Sequence, residues 1–131
     1  MSLGYSIHGT CQIVCENDII KIDAKGPWNF EYFDYLHKEL ISYSSQVNLN
    51  NYCVLLNLSG EAIVVDGAIE KHLFFVKKST VKAIGINLSD CSTINITKKI
   101  FQRGYGTAQI KHEFFQTEQD AINWLKIELS Q

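Results

Sequence analysis

The chain predicts an α/β fold: a mixed five-stranded sheet with about four helices, in the order β-β-α-β-α-β-α-β-α. Three observations carry the prediction. Residues 52–58 form a near-continuous apolar run, Tyr-Cys-Val-Leu-Leu-Asn-Leu, the pattern of a strand covered by helices on both faces. Residues 81–87 form a second strand of the same character. Near the end, Phe114 and Phe115 close an extended run and Thr117-Glu118-Gln119-Asp120 opens a helix whose apolar face holds Ala121, Trp124 and Leu125. A strand passing into an amphipathic helix is the repeating step of an α/β domain.

Each element follows from its own residues. Tyr5, Ile7 and Gly9 precede Cys11 and Ile13 at alternating positions, Glu16-Asn17-Asp18 supplies turn formers, and Ile19, Ile20 and Ile22 resume an apolar strand. The first 25 residues therefore read as a hairpin, which Gly26-Pro27 stops. Asn29 is placed to cap a helix running to about Tyr43, with Phe33, Leu36, Leu40 and Ile41 on its inner stripe. After the central strand, Asp66 is expected to cap a second helix through Ile69, Leu73 and Val76.

The turn Ser89-Asp90-Cys91-Ser92 leads into a third helix with Ile96 and Ile100 inward, ended by Gly104 in a C-cap position. Residues 108–114 form the last strand, and Thr117 caps the last helix, with Asp120 adding negative charge where the helix dipole favours it. Trp124 is expected to be largely buried there. Such alternation argues for a mostly parallel sheet with right-handed crossovers, and the hairpin adds one antiparallel strand. No repeat, linker or low-complexity segment interrupts the order, so residues 1–131 read as a single domain.

Composition narrows the function classes. Hydrophobic content of 46% with 20% charged residues is ordinary for a folded soluble protein and argues against disorder. Apolar runs fall far below the roughly 18 residues that span a bilayer, and no hydrophobic leader core follows the N-terminus, so a cytoplasmic, non-spanning protein is expected. Cys11, Cys15, Cys53 and Cys91 include no CxxC pair and read as reduced thiols. In a strand Cys11 and Cys15 share a face that His8 does not, so no zinc site is expected.

The net charge of −2 divides unevenly: residues 1–66 carry −5, 67–112 carry +6 and 113–131 carry −3. The basic middle third reads either as solvated helix faces or as a surface meeting an acidic partner or an anionic head group. Nucleic acid is not expected as a partner, because a pI near 6.0 lacks the basic footprint that phosphate contacts need.

The element order, with Tyr52-Cys53-Val54-Leu55-Leu56-Asn57-Leu58-Ser59-Gly60 in the middle and Phe115 through Ala121 to Trp124-Leu125 at the end, resembles the SpoIIAA-like branch of the STAS superfamily. The resemblance covers nearly the whole chain, and its motifs are apolar and structural. It implies a STAS-like fold and a regulatory, protein-interaction role of the anti-sigma-factor-antagonist kind. In that family an aspartate ends the central strand, and an Asp-Ser-Ser-Gly run about eight residues on carries the phosphorylated serine at the start of the second helix. Here Asn57 stands at the strand end, and Val65, Asp66, Gly67 and Ala68 stand on the Asp-Ser-Ser-Gly positions. The family's phosphoserine is absent. Asp66 either imitates a fixed negative charge or simply caps the helix, and Ser59 is a weaker modification candidate.

No catalytic arrangement assembles from the sequence. Gly104-Tyr105-Gly106 follows a helix rather than a strand and lacks the third glycine of a dinucleotide loop, and Ser59-Gly60 lacks the earlier glycine of a nucleophile elbow. His37 and His72 lie mid-helix, where partial exposure is the default, and His112 is on the last strand. The chain therefore reads as a non-enzyme with no cofactor.

Two binding readings follow. The first is a protein-interaction module, with a partner or a second copy meeting the loop and helix around Asn57, Ser59, Gly60, Asp66 and Gly67. The second is a small hydrophobic or lipid-like ligand beside the second and third helices. Leu73-Phe74-Phe75-Val76 is wider than the single stripe a sheet-packed helix needs, and Lys77-Lys78 follow directly. Phe74 and Phe75 beside Lys77 and Lys78 would suit an amphiphile with an acidic head. Alternatively, one phenylalanine fills the core and the other packs against the third helix.

Overall fold

The computed structural model describes residues 7–65 and 67–131. Strands β1 (Thr10–Glu16) and β2 (Ile19–Lys25) pair antiparallel. Asn17 and Asp18 between them both have positive φ, 54° and 62°, the two-residue turn whose twist matches its flanking strands. Strands β3 (Cys53–Gly60), β4 (Ile84–Cys91) and β5 (His112–Phe115) join β2 in parallel, giving the order β1-β2-β3-β4-β5. The two continuous apolar runs are therefore interior strands, with β2 beside them. Leu56, Ile84 and Ile86 are buried and Val54 is half-buried.

With strands in sequential order, right-handed crossovers put every connecting helix on one face. Helices α1 (Phe30–Tyr43), α2 (Ala68–Lys78) and α3 (Ile94–Thr107) accordingly share a core with Ile20, Ile22, Leu56 and Ile86. Helix α4 (Glu118–Leu129) follows the last strand and covers the other face, where Ala121 and Leu125 meet Ile19, Cys53 and Leu55. Among the described residues no helix is long and apolar enough to cross a membrane.

Two expected caps form: Asn29 Oδ1 accepts the Tyr32 N–H at 3.0 Å, and Thr117 Oγ1 accepts the Asp120 N–H at 3.1 Å. The N-cap position of α2 falls on Gly67 in left-handed backbone, φ 83°, which brings no capping side chain. Asp66, the expected cap, and Tyr5 lie outside the described residues.

Several inward assignments shift. Ile41 is 63% exposed and Ile96 57% exposed; the inner face of α1 is Tyr32, Phe33, Leu36 and His37, and that of α3 is Thr97, Phe101 and Tyr105. Periodicity alone left the phase of the stripe open, and the buried Thr97 hides in it because its hydroxyl donates to Ala62 O at 2.8 Å. Gly104 does not end α3. It is the close approach of α3 to α2, where a Cβ would come within 3.2 Å of Leu73 Cδ1. The helix runs on to Thr107, left-handed Gln109 turns the chain, and β5 begins at His112 rather than Ala108. Trp124 is half-buried against Phe115 while its neighbour Leu125 takes the buried place on the sheet.

Helix α4 spans only part of its face. Its first turn lies by β2, where Glu118 pairs with Lys21 at 3.0 Å, and its last lies by Asn51, just before β3, whose amide donates to Leu129 O. Toward the carboxyl ends of the strands this face is uncovered and turns polar. Asp23, Asn57 and Asn87 stand in register across β2, β3 and β4, with Asn87 donating to Asn57 at 3.0 Å and Asn57 donating to Asp23 at 2.8 Å.

Candidate functional site

Helices α1 and α2 lie side by side on the sheet and do not close on it. Midway along their seam a stack of rings fills the gap: Phe33 on His72, His72 on His37, and His37 on Phe75 with centroids 4.0 Å apart and planes within 6°. Toward the ends of the two helices the inner positions fall to Leu40 and Ser44 on one side and Val76 and Ser79 on the other, which do not bridge the seam. A cavity of about 280 Å³ remains between the helices and the sheet. Ile20, Val54 and Ile84, one register row of β2, β3 and β4, form its sheet wall. Exposed Ile41, Leu49 and Lys78 stand at its mouth, and His72 and Tyr105 lie at its buried end.

Three polar side chains are linked at that end. Tyr105 OH and His72 Nε2 are 2.8 Å apart, and His72 Nδ1 and His37 Nε2 are 3.1 Å apart. His72 is 5% exposed, His37 8%, and Tyr105 wholly buried. Burial pushes His37 down to about 4, with Asp34 opposing and Lys71 adding to the shift. Burial and the neighbouring His37 push His72 down to about 3. Burial likewise raises Tyr105 well above the usual phenol range. At neutral pH the chain is uncharged throughout and acts through hydrogen bonds alone. Its outer end at His37 lies beside the Asp34–Lys71 ion pair.

The structure separates the residues singled out in the sequence. Phe75 and Lys78 line the cavity; Lys77 does not, and Phe74 is 65% exposed with the Lys78 ammonium 4.1 Å from its ring centre. The apolar space that Phe75 and Lys78 line thus opens between α1 and α2, and α3 reaches it only through Tyr105 at its buried end. Between α2 and α3 there is an open groove of about 840 Å³, walled by Ile69, Leu73 and Ile100 with Lys99 and Arg103 along it and Gly67 among its lining residues. Asn57 and Ser59 face a different recess, about 290 Å³, with Asp23, Asn87, Asp90 and Glu118. Gly60, φ 67°, turns the chain out of β3 and packs near Lys25. The expected interaction loop therefore divides between two recesses on different sides of the sheet.

His37 and His72, expected to be partly exposed, are the correction that matters most. The signal was present in the spacing: His37 follows Phe33 by four residues, His72 precedes Val76 by four, and Tyr105 follows Phe101 by four, so each continues a buried stripe. His112 is half-buried, its Nδ1 2.8 Å from Ile110 O and its ring 5.6 Å from Tyr105. Cys11 and Cys15 pack from β1 against the helix-side core.

No family model and no curated protein matches the sequence. Among solved structures, the chain is similar to a DUF3478 family protein of Shewanella loihica PV-4 with a SpoIIAA-like fold. The two share 15% identity and superpose with a TM-score of 0.63 over 95% of this chain and 99% of that one. Five strands in sequential order, three helices on one face and one on the other, and this superposition over nearly the full length establish that the chain has a SpoIIAA-like fold.

Proposed function

We propose that this protein is a non-catalytic binding module that holds a small apolar or amphiphilic molecule in the cavity between α1 and α2. The observation that carries the reading is the cavity itself, an apolar space of about 280 Å³ that runs from exposed Ile41, Leu49 and Lys78 inward to His72. An apolar cavity of about 150 Å³ takes benzene, so this one has room for on the order of ten non-hydrogen atoms. A non-catalytic role is supported by the site's chemistry: both ring nitrogens of His72 are engaged, and the buried Cys53 thiol, raised to about 11 by burial, sits on the opposite face of the sheet.

Binding of a small apolar probe, hexane, followed by NMR tests this. The wild type should bind the probe, and Val54→Phe, which fills the cavity from the sheet, should abolish binding. Equal binding by the folded variant would refute the reading.

A protein partner is the second reading, favoured by the open α2–α3 groove with exposed Val65 at its edge. Gly67 offers no hydroxyl to phosphorylate there, so such binding would be constitutive. Ile69→Glu should abolish partner capture and leave the probe unaffected.

A further inference from the structure

Strand β1 is outermost in the sheet, so only one of its long sides faces β2. The hydrogen bonds on the far side of β2 settle which of its residues face that way. Asp18 and Gly26, which flank β2, both bond to β3: Asp18 O accepts the Cys53 N–H and the Gly26 N–H donates to Ser59 O. Backbone direction alternates along a strand, so Ile20, Ile22 and Ala24 turn to β3 as well, and Ile19, Lys21, Asp23 and Lys25 turn to β1. Their register partners are Glu16, Val14, Gln12 and Thr10. The N–H and C=O groups of Cys11, Ile13 and Cys15 therefore point outward, and among the described residues none bonds to them.

An open edge is a template for pairing, and the features that usually block one are missing here. Strand β1 holds no proline and no lysine, and it keeps an unbroken register with β2 from Thr10 to Glu16. Val14 is 53% exposed beside the edge. The strand also complements itself. An antiparallel pair about a two-fold at Ile13 sets Ile13 on the partner's Ile13 and Cys11 on the partner's Cys15, outward groups meeting outward groups, so both backbone bonds of each pair close. Between them, on the open face, Gln12 meets the partner's Val14 and Thr10 meets the partner's Glu16. Thr10 is in register with Lys25, which places the partner's Glu16 one strand from a cation. Charge rejects the register two residues away, which would put the partner's Glu16 on Gln12, in register with Asp23. The opposite shift puts the partner's Glu16 at His8, beyond the strand, where left-handed Gly9, φ 97°, has already ended it.

We propose that β1 is a dimerisation edge, at which a second copy of this chain adds antiparallel about Ile13 and the two sheets become one. No residue of β1 lines the cavity between α1 and α2, so neither reading rests on the other.

Sedimentation equilibrium from micromolar to millimolar concentration tests it: the wild type should pass from the 14.9 kDa of one chain to twice that mass. Gln12→Lys combined with Val14→Lys changes only exposed side chains and sets like charges against each other on both sides of the two-fold, so it should weaken the dimer about tenfold. Mixing that variant with Gln12→Glu combined with Val14→Glu should restore association, as a heterodimer. Amide hydrogen exchange of the wild type reads the edge without any substitution, and the Cys11, Ile13 and Cys15 amides should gain protection as the dimer forms. A monomer at every concentration overturns the proposal. So does a dimer that the lysines leave unchanged, or one in which the Ile13 amide still exchanges freely.

Discussion

The two faces of this sheet are built from the same strands and packed to different ends. On the α4 face Leu125 presses close to β4: a Cβ on Gly85 would sit 3.3 Å from Leu125 Cδ1, so the leucine would have to give by a few tenths of an ångström. Cys53, Leu55, Ala83, Ala121 and Leu125 are sealed there without a cavity of note. One residue along each strand the side chains point the other way, toward three helices, and there the packing leaves about 280 Å³ open and buries two neutral histidines. Close-packed interiors are the rule, so an unfilled space lined by linked polar groups is where a function is to be sought. The part of the sheet under α4 is packed to hold the fold together, and the apolar room lies under the three helices of the other face.

The largest expected effect breaks the sealed face. Leu125→Ala should cost about 2–5 kcal/mol, because a fully buried leucine leaves a new void. Leu40→Ala, at the wall of a space already open, should cost under about 2 kcal/mol. Urea denaturation of the two variants compares the faces directly, and equal losses would deny the contrast.

Acid should act on the face under α1, α2 and α3 through its two histidines. Folded, His37 and His72 stay neutral down to about pH 4 and 3; unfolded, they take up protons near pH 6.5. The unfolded state therefore binds more protons from about pH 6.5 downward, and stability falls through that window, levelling off below the folded values. Asp34 and Lys71 beside His37 act in opposite senses, and the nearby Tyr105 stays neutral throughout. Between pH 7 and pH 5 the two rings should remove roughly 2–4 kcal/mol. His72→Leu should flatten that slope by about half, read from melting temperatures at the two pH values.

Adding atoms should reverse the order of tolerance. Gly85→Ala should destabilise by about 1–3 kcal/mol through the clash with Leu125, whereas Val54→Leu, growing into the cavity, should change stability by less than about 1 kcal/mol. A calorimetric scan of each variant decides it. Smallest of all, Thr117→Ala should cost about 0.5–1 kcal/mol by unpairing the Asp120 N–H at the start of α4, without touching either face.

Much of this architecture was legible in the residues, and the limits have physical causes. Element order, the interior position of β3 and β4, and the caps at Asn29 and Thr117 follow from local patterns, and all stand. Boundaries failed where a tertiary contact overrode a local signal: Gly104 looks like a helix end until Leu73 is found against it. Trp124 stays half-buried because Ala121 and Leu125 already fill the width that α4 presents to the sheet. The candidate site was half legible. Phe75 and Lys78 reach the cavity, but its enclosure depends on how α1 settles against α2, and no single segment records that. The histidines are hidden from a reading by residue type, because their place on the buried stripe outweighs their polarity.

The most direct test of the contrast between the faces is methyl NMR with hexane added to the wild-type protein. The account predicts shifts at the methyls of Val54, Val76 and Ile84 and none at Leu55 and Leu125 across the sheet. Shifts concentrated instead at Ile69, Leu73 and Ile100 in the α2–α3 groove, or no shifts at all, would contradict it.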